Sequence, residues 1–218
     1  MTPGDREEWL RSIEQVAVEL ANLAGAEITN ALGREIAVRY KGSAKGTLFS
    51  DPVSDVDQRV EELIRGRLAA TFPDHGIIGE EIDEAPDPSR EVVWAVDPID
   101  GTANFVNGFP LFAGSIGVLE RGVPIVGAIW TSTSHVLRAG VYHAREGGPL
   151  RFNFEPAEAR SVPANRRHLA GEPDRTPGDF PWDMRQTGSA ALECAFVAAG
   201  LLRVSRLARP NIWDVAAG

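Results

Sequence analysis

The 218-residue sequence has one cysteine, Cys194, which excludes an intrachain disulfide and favours a reducing compartment. It has no apolar run near the roughly 20 residues of a membrane-spanning helix, and its polar start, MTPGDREEWL, predicts no signal peptide. Basic residues are in deficit, with 22 Lys and Arg against 31 Asp and Glu and a net charge of −9. We therefore expect a cytoplasmic protein whose main partner is neither a nucleic acid nor a membrane.

The hydrophobic pattern changes along the chain from helix to strand. Apolar residues recur at intervals of three and four from Arg6 to Leu32, and again after Ser54, a predicted N-cap with Asp57 three residues on. A third helix is predicted for residues 188–200, beginning at a Gly-Ser cap. Short apolar runs punctuated by glycine and proline predict strands at 76–79, 91–96, 112–119, 124–130 and 135–142. Together these elements predict a mixed α/β (α+β), layered fold.

Two segments have no regular pattern. The polar, glycine-rich stretch from Arg39 to Pro52 contains Lys41 and Lys45 and predicts a loop or hairpin. From Arg145 to Trp182 the sequence is rich in Arg, Pro and Glu, which predicts a connection with at most short strands. We place a boundary between two lobes here, with an N-terminal α+β lobe at residues 1–145 and a C-terminal α/β lobe at residues 146–218.

The stretch WAVDPIDGTANFVNGFP, residues 94–110, brings two carboxylates to the end of an apolar run. Asp97 and Asp100 flank a proline, which predicts a tight turn with both side chains in the same space. Two negative charges at such a short distance repel each other, which is unfavourable unless a cation lies between them. If a helix follows, the amides of Gly101 and Thr102 lie at its N-terminus and can bind an anion. These features match a metal-assisted phosphate site, but the stretch on its own favours simple turn formation by Asp-Pro and Asp-Gly.

Three more acidic residues lie at the ends of predicted elements. Asp57 is in the first turn of a helix, Glu80 follows a strand in the motif GEE, and Asp214 begins DVAAG after a tryptophan. Alone, each has an ordinary explanation as a helix-dipole partner, a surface acid or a helix cap. In the order Asp57, GEE, DPIDGT, GSAA and WDVAAG, however, the motifs resemble the inositol monophosphatase family of magnesium-dependent phosphatases. The resemblance is strongest at WAVDPIDGTANFVNGFPLFAGSIGV.

The resemblance implies a site for two or three Mg²⁺ ions, in which Asp97 bridges two of them. The implied metal ligands are Glu80, Asp97, the carbonyl of Ile99, Asp100 and Asp214. The implied catalytic residues are Asp57 and Thr102, which hold and activate the attacking water, together with Glu80. Phosphate or substrate contacts are expected from Asp100, Gly101, Thr102, Gly188, Ser189, Ala190 and Arg206. Oxygen-only ligands agree with Mg²⁺, and the four histidines have no zinc-motif spacing.

The resemblance also implies a layered αβαβα sandwich, with the site between two lobes, and a homodimer. The implied activity is hydrolysis of a small polyol or sugar phosphate, such as an inositol 1-phosphate, by water attack without a phosphoenzyme. Leu207 stands where inositol-hydrolysing members carry a glutamate, so fructose-1,6-bisphosphatase, histidinol-phosphatase and bisphosphate-nucleotidase activities are alternatives. A phosphate-binding regulatory protein with weakened catalysis is the alternative outside enzymes. Family members continue beyond the position of Gly218, so a shortened C-terminal lobe is expected.

Overall fold

The computed structural model describes residues 2–34, 37–40, 52–82, 84, 87, 89–157, 168–172 and 182–218. The predicted loop with Lys41 and Lys45 lies outside these residues. The helices of the described residues are α1 (Pro3–Ala31), α2 (Asp55–Thr71), α3 (Thr102–Val106), α4 (Ala190–Ala198) and α5 (Ile212–Val215). Their strands are β1 (Val38–Tyr40), β2 (Pro52–Ser54), β3 (Gly76–Gly79), β4 (Val92–Asp100), β5 (Ala113–Glu120), β6 (Val123–Thr131), β7 (Gly140–Arg145), β8 (Arg151–Phe152), β9 (Glu155–Pro156), β10 (Leu169–Glu172), β11 (Asp183–Gln186) and β12 (Val204–Ser205).

A seven-stranded mixed sheet forms the centre of the fold, with its strands in the order β3-β4-β5-β6-β7-β8-β9. β3 runs parallel to β4, and the other neighbouring pairs are antiparallel. A smaller parallel sheet has the order β11-β10-β12. β1 and β2 form an antiparallel pair that leads directly into α2. This mixture of helices with parallel and antiparallel strands is the predicted α/β (α+β) class.

Helices cover both faces of the large sheet. Trp130 of β6 packs toward α1, where a Cβ on Gly25 would lie 2.2 Å from the indole nitrogen. Its neighbour Ile129 points to the opposite face and packs with Leu192 and Ala195 of α4, as the two-residue period of a strand requires. Burying each large apolar side chain contributes about 1.5–3 kcal/mol. α4 in turn contacts β10 and β12 of the small sheet. The layers are therefore, in order, helices, the large sheet, helices and the small sheet. These are four of the five layers of an αβαβα sandwich.

Most predicted elements are present, with shifted ends. The cap at Ser54 is confirmed, since its hydroxyl accepts the N–H of Asp57 in a capping box that starts α2. β7 begins at Gly140, five residues later than predicted, because Leu137 adopts φ 58° and the N–H of Leu137 bonds to the carbonyl of Ser134 in a turn. The division into lobes at residues 145 and 146 stays a prediction. No helix in the described part of the chain is long and apolar enough to cross a membrane.

Candidate active site

The acidic stretch at the centre of the sequence is the end of a strand. β4 continues to Asp100, so the predicted tight turn between Asp97 and Asp100 is wrong. The register with β5 shifts here, because Asp97 lies opposite Ser115 and Asp100 lies opposite Ala113. One extra residue on β4 forms a bulge, which brings side chains three positions apart to the same side of the sheet. Pairing with β5 outweighs the low strand propensity of aspartate and proline.

A short helix follows the strand directly, which is the condition set above for an amide site at Gly101 and Thr102. Gly101 turns the chain with φ 87°, and a Cβ there would lie 3.1 Å from the carbonyl oxygen of Gly188. Its carbonyl accepts the N–H groups of Asn104 and Phe105, at 2.9 and 3.1 Å. The earlier amides, those of Gly101, Thr102 and Ala103, have no acceptor within this first turn. All three residues line a cavity of about 390 Å³.

Asp57 caps α2 and also contacts Thr102. It completes the capping box of α2, accepting the N–H of Ser54 at 2.9 Å and also the Ser54 hydroxyl. The hydroxyl of Thr102 lies 3.1 Å from the other carboxylate oxygen of Asp57 and 2.8 Å from the carbonyl oxygen of Ile99. Burial raises the pKa of Asp57 to about 6, against the opposing hydrogen bonds from Ser54 and Thr102.

Four carboxylates line the same cavity, and they belong to Glu80, Asp97, Asp100 and Asp214. Asp97 is 1% exposed, and its pKa is raised well above the usual range by burial and then by the charges of the other three. Its Oδ1 is buried with no hydrogen-bond partner among the described residues. A buried, unpaired acceptor surrounded by negative charge is costly, and a cation is the partner that removes this cost.

The donor set of this cavity fits a hard divalent cation. Carboxylates and the carbonyl of Ile99 supply only oxygen atoms, which Mg²⁺ prefers. In the described residues, no three His, Cys, Asp or Glu side chains are grouped as closely as a completed metal site requires. The fit therefore rests on the oxygen chemistry of the shared cavity and on the orphaned Oδ1 of Asp97.

The start of α4 is bound to Asp100. The Ser189 hydroxyl and the N–H of Ala191 both donate to Asp100 Oδ2, each at 2.6 Å. Burial raises the pKa of Asp100 to about 7, against these hydrogen bonds and one from the amide of Ala190, while the charge of Asp214 adds to the rise. Ser189 is 1% exposed and lies behind the carboxylate, whereas Gly188 and Ala190 reach the cavity wall.

Asp214 is held by a short helix packed on the sheet. It accepts the N–H of Asn211 at 2.6 Å in the capping box of α5. The preceding carbonyl, that of Trp213, accepts the hydroxyl of Ser115 on β5 at 3.0 Å. Just after the helix, Ala216 lies so close to β5 that a Cβ on Gly117 would be 2.6 Å from it. Packing on the sheet, rather than helix length, therefore positions Asp214.

Two predicted contacts, Ser189 and Arg206, do not line the cavity, and several cavity residues were not predicted from the sequence. Arg206 is exposed and does not line the cavity, whereas Leu207 and Arg209 do. Asn104 also lines it, and its side-chain amide donates to the carbonyls of Leu111 and Thr187, at 2.6 and 2.7 Å. The only local signal for Asn104 is its position two residues after Gly-Thr, since both of its partners lie farther along the chain.

Comparison with known proteins assigns this fold to a class of phosphatases. A model of the inositol monophosphatase family matches residues 9–218. Inositol-1-monophosphatase of Bacillus subtilis is 35% identical over 226 residues, covering 94% of this chain and 80% of that protein. Phosphatase IMPL1 of Arabidopsis thaliana, a chloroplastic protein, is 31% identical over 219 residues, covering 92% of this chain. The chain spans 57% of the length of IMPL1.

The solved structures agree with this assignment. The structure of SaIMPase-II with bound inositol monophosphate has a TM-score of 0.69 at 27% identity, covering 94% of this chain and 76% of that one. The chain belongs to the inositol monophosphatase family. The predicted family and the layered α/β fold are confirmed, and family membership supports a phosphatase of the inositol monophosphatase type.

Proposed function

We propose that this chain is a Mg²⁺-dependent phosphomonoesterase that hydrolyses a small polyol or sugar phosphate without a phosphoenzyme. The observation that carries the proposal is the buried Oδ1 of Asp97, which has no partner in the described part of the chain and lies in a cavity lined by three further carboxylates. Four carboxylates there would repel an anionic phosphate ester unless bound cations reversed the local charge. The family relationship and the inositol monophosphate bound to a structural neighbour support a phosphate ester of this size.

We assign two or three Mg²⁺ ions to the oxygen atoms that line the cavity. Their ligands in this proposal are Glu80, Asp97, the carbonyl of Ile99, Asp100 and Asp214. When bound, Mg²⁺ neutralises the phosphoryl oxygens and lowers the pKa of a water molecule. The carbonyl oxygen of Ile99 accepts the Thr102 hydroxyl with one lone pair. Its second lone pair remains available for binding Mg²⁺.

The chain's own groups orient the phosphate and the water. Gly101, Thr102 and Ala103 line the cavity at the start of α3, and in this proposal their backbone amides donate to phosphate oxygens. Thr102 Oγ1 accepts a proton from the attacking water and passes its own to Asp57, 3.1 Å away. Because burial raises the pKa of Asp57 to about 6, this carboxylate holds the proton more readily than an exposed aspartate. The water oxygen bonds to phosphorus, the ester P–O bond breaks, and the leaving oxygen takes a proton from solvent.

The wall of the cavity near Asp214 bears on the choice of substrate. Leu207 offers no acceptor to the hydroxyl groups of a polyol, whereas Arg209 adds a positive charge to the same wall. Arg209 also has φ 56°, a backbone conformation that is costly for arginine and common at functional sites. This observation favours a second candidate, a phosphate ester with another anionic group, such as fructose 1,6-bisphosphate or a nucleotide bisphosphate, over histidinol phosphate, whose other charged group is a cationic amine.

A substrate panel tests the proposal. Phosphate release is measured from inositol 1-phosphate and the three alternative substrates, with Mg²⁺ and with EDTA. We expect Mg²⁺-dependent release from at least one of them. If a folded sample that binds phosphate releases none at any Mg²⁺ concentration, the phosphate-binding regulatory protein replaces the enzyme. A cytoplasmic location and a homodimer stay predictions.

A further inference from the structure

A buried glutamate on α2 contacts the loop that carries Glu80. Glu61 has no exposed surface, and its Oε2 accepts the N–H of Glu81 at 2.8 Å. Its Oε1 lies 3.3 Å from the N–H of Ile82, which donates to it. The carboxylate therefore receives the two amides that follow Glu80 in the chain. Hydrogen bonds from backbone amides to a buried carboxylate are among the stronger ones in a protein.

Gly79, the residue before Glu80, packs directly against the Glu61 carboxylate. A Cβ on Gly79 would lie 2.2 Å from Oε1 of Glu61 and 2.4 Å from its carboxyl carbon. Only a glycine allows β3 to pass this close to the side chain. Glu61 therefore contacts the backbone immediately before and immediately after Glu80.

Arg65, one turn further along α2, keeps the Glu61 carboxylate in place. Its Nε donates to Glu61 Oε1 at 2.8 Å, and its Nη2 donates to the carbonyl of Ile82 at 3.2 Å. The Arg65 side chain is 13% exposed, so this ion pair is largely shielded from water. Together the two side chains bind both the amides and a carbonyl of the loop, which fixes its position relative to α2.

We propose that Glu61 is a positioning residue for Glu80, holding it at the distance from Asp97 at which both carboxylates bind Mg²⁺. The inference rests on the proposed function, since it requires Glu80 to be a metal ligand. Glu61 itself does not line the cavity. A well-packed apolar side chain fills a buried position at least as favourably as an ion pair does. The charged pair is therefore explained by the orientation that it imposes on the loop.

Mg²⁺ binding to three variants of the full chain, measured by isothermal titration calorimetry, tests the proposal. Glu61→Gln keeps the shape of the side chain but places an amide N–H against a donor, either Glu81 N–H or Arg65 Nε. We expect Mg²⁺ affinity to fall about 10- to 100-fold, while kcat at saturating Mg²⁺ is retained. Glu80→Gln, which alters the ligand itself, must also weaken Mg²⁺ binding. Glu14→Gln is the matched control, since Glu14 is a buried acid paired with Arg145 and His143 and lies outside the cavity.

The three variants distinguish the positioning role of Glu61 from the assignment of Glu80 as a metal ligand. If Glu80→Gln weakens Mg²⁺ binding and Glu61→Gln does not, Glu61 does not position Glu80, although the metal site stands. If Glu80→Gln leaves Mg²⁺ binding unchanged, the ligand assignment fails and the positioning role fails with it. If Glu14→Gln weakens Mg²⁺ binding as much as Glu61→Gln does, the loss of affinity is explained by general destabilisation of the protein. That result overturns the proposal. If Glu61→Gln does not fold, Arg65→Met takes its place, and unchanged Mg²⁺ affinity in that variant contradicts the inference.

Discussion

The hydroxyl of Ser189 donates a 2.6 Å hydrogen bond to Oδ2 of Asp100, across 89 positions of the chain. The same hydroxyl accepts the N–H of Leu192 and so acts as the N-cap of α4. One side chain thus begins a helix and fixes a carboxylate of the acidic cavity. The stability of α4 and the geometry of the proposed metal site are coupled through this residue.

Ser189→Ala is expected to weaken both functions of the side chain. Loss of the cap costs about 1 kcal/mol of folding stability, and loss of the hydrogen bond raises the pKa of Asp100 further, so Mg²⁺ binds less tightly at neutral pH. Urea unfolding and Mg²⁺ titration of the same sample measure the two effects. Thr2→Ala, which removes the cap of α1 far from the cavity, serves as the control. It should lower stability similarly and leave Mg²⁺ binding intact, and an equal effect of both variants on Mg²⁺ contradicts the coupling.

The metal-free protein should become less stable as the pH rises through the range where its buried acids ionise. The folded-state pKa values of Asp57 and Asp100 are about 6 and about 7, above the ordinary aspartate value of 3.8. A raised folded-state pKa means that the folded state binds the proton more tightly, so this stability is fully present below about pH 4. It is lost as the pH rises toward 7. Asp97, whose pKa is raised well above the usual range, acts in the same direction.

Mg²⁺ should reverse this loss, because it binds the ionised carboxylates. At 100 times its Kd, Mg²⁺ stabilises the folded state by about 2.7 kcal/mol, which corresponds to a rise in Tm of about 5–10 °C for a chain of this size. Differential scanning calorimetry with and without Mg²⁺ at pH 5, 6, 7 and 8 checks the pattern. The increase in Tm should grow from pH 5 to pH 8, and an increase that is largest at pH 5 contradicts the pKa assignments.

Arg209 is expected to discriminate between substrates. Replacing Arg209 with Gln removes the positive charge that lines the cavity wall. For a substrate with a second anionic group, kcat/KM should fall about two- to fivefold, which corresponds to about 0.4–1 kcal/mol for an exposed ion pair. For a monophosphate of a neutral polyol it should stay near the wild-type value. Steady-state kinetics with both substrates, and with Arg206→Gln as the exposed control outside the cavity, check this. An equal fall for both substrates excludes a role in specificity.

Local features of the fold could be predicted from the sequence. The cap at Ser54 and the first turn of α2 depend on contacts three residues apart, and the predicted strand at 76–79 coincides with β3. The continuation of β4 through Pro98 to Asp100 could not be predicted, because pairing with β5 overrides the local turn preference. Whether residues 97–100 form a strand depends on their pairing with β5, which lies later in the sequence.

In the candidate site, too, local features could be predicted from the sequence and contacts between distant residues could not. The acidic motifs gave the carboxylates of the cavity, since each motif is short and continuous. The contacts that orient them join distant residues, such as Ser189 with Asp100 and Glu61 with Glu81. Arg206 was predicted as a substrate contact, but it is Arg209 that lines the cavity, because spacing alone does not show which of two nearby arginines reaches the wall. Side-chain direction in an irregular segment depends on φ, and only the structure shows the left-handed conformation of Arg209.

Asp97→Asn tests whether the acidic cavity is a Mg²⁺ site, because the proposal rests on Asp97 Oδ1, which is buried without a hydrogen-bond partner among the described residues. The substitution keeps the shape of the side chain and removes one buried negative charge from a group of four. Mg²⁺ binding by calorimetry and phosphate release are measured on the variant and on the wild type at pH 7.5. We expect the variant to lose Mg²⁺ binding and activity, while its metal-free form is more stable than the wild type, because burial and three neighbouring acids disfavour the ionised Asp97 carboxylate. A folded Asp97→Asn protein that still binds Mg²⁺ and releases phosphate at the wild-type rate contradicts it.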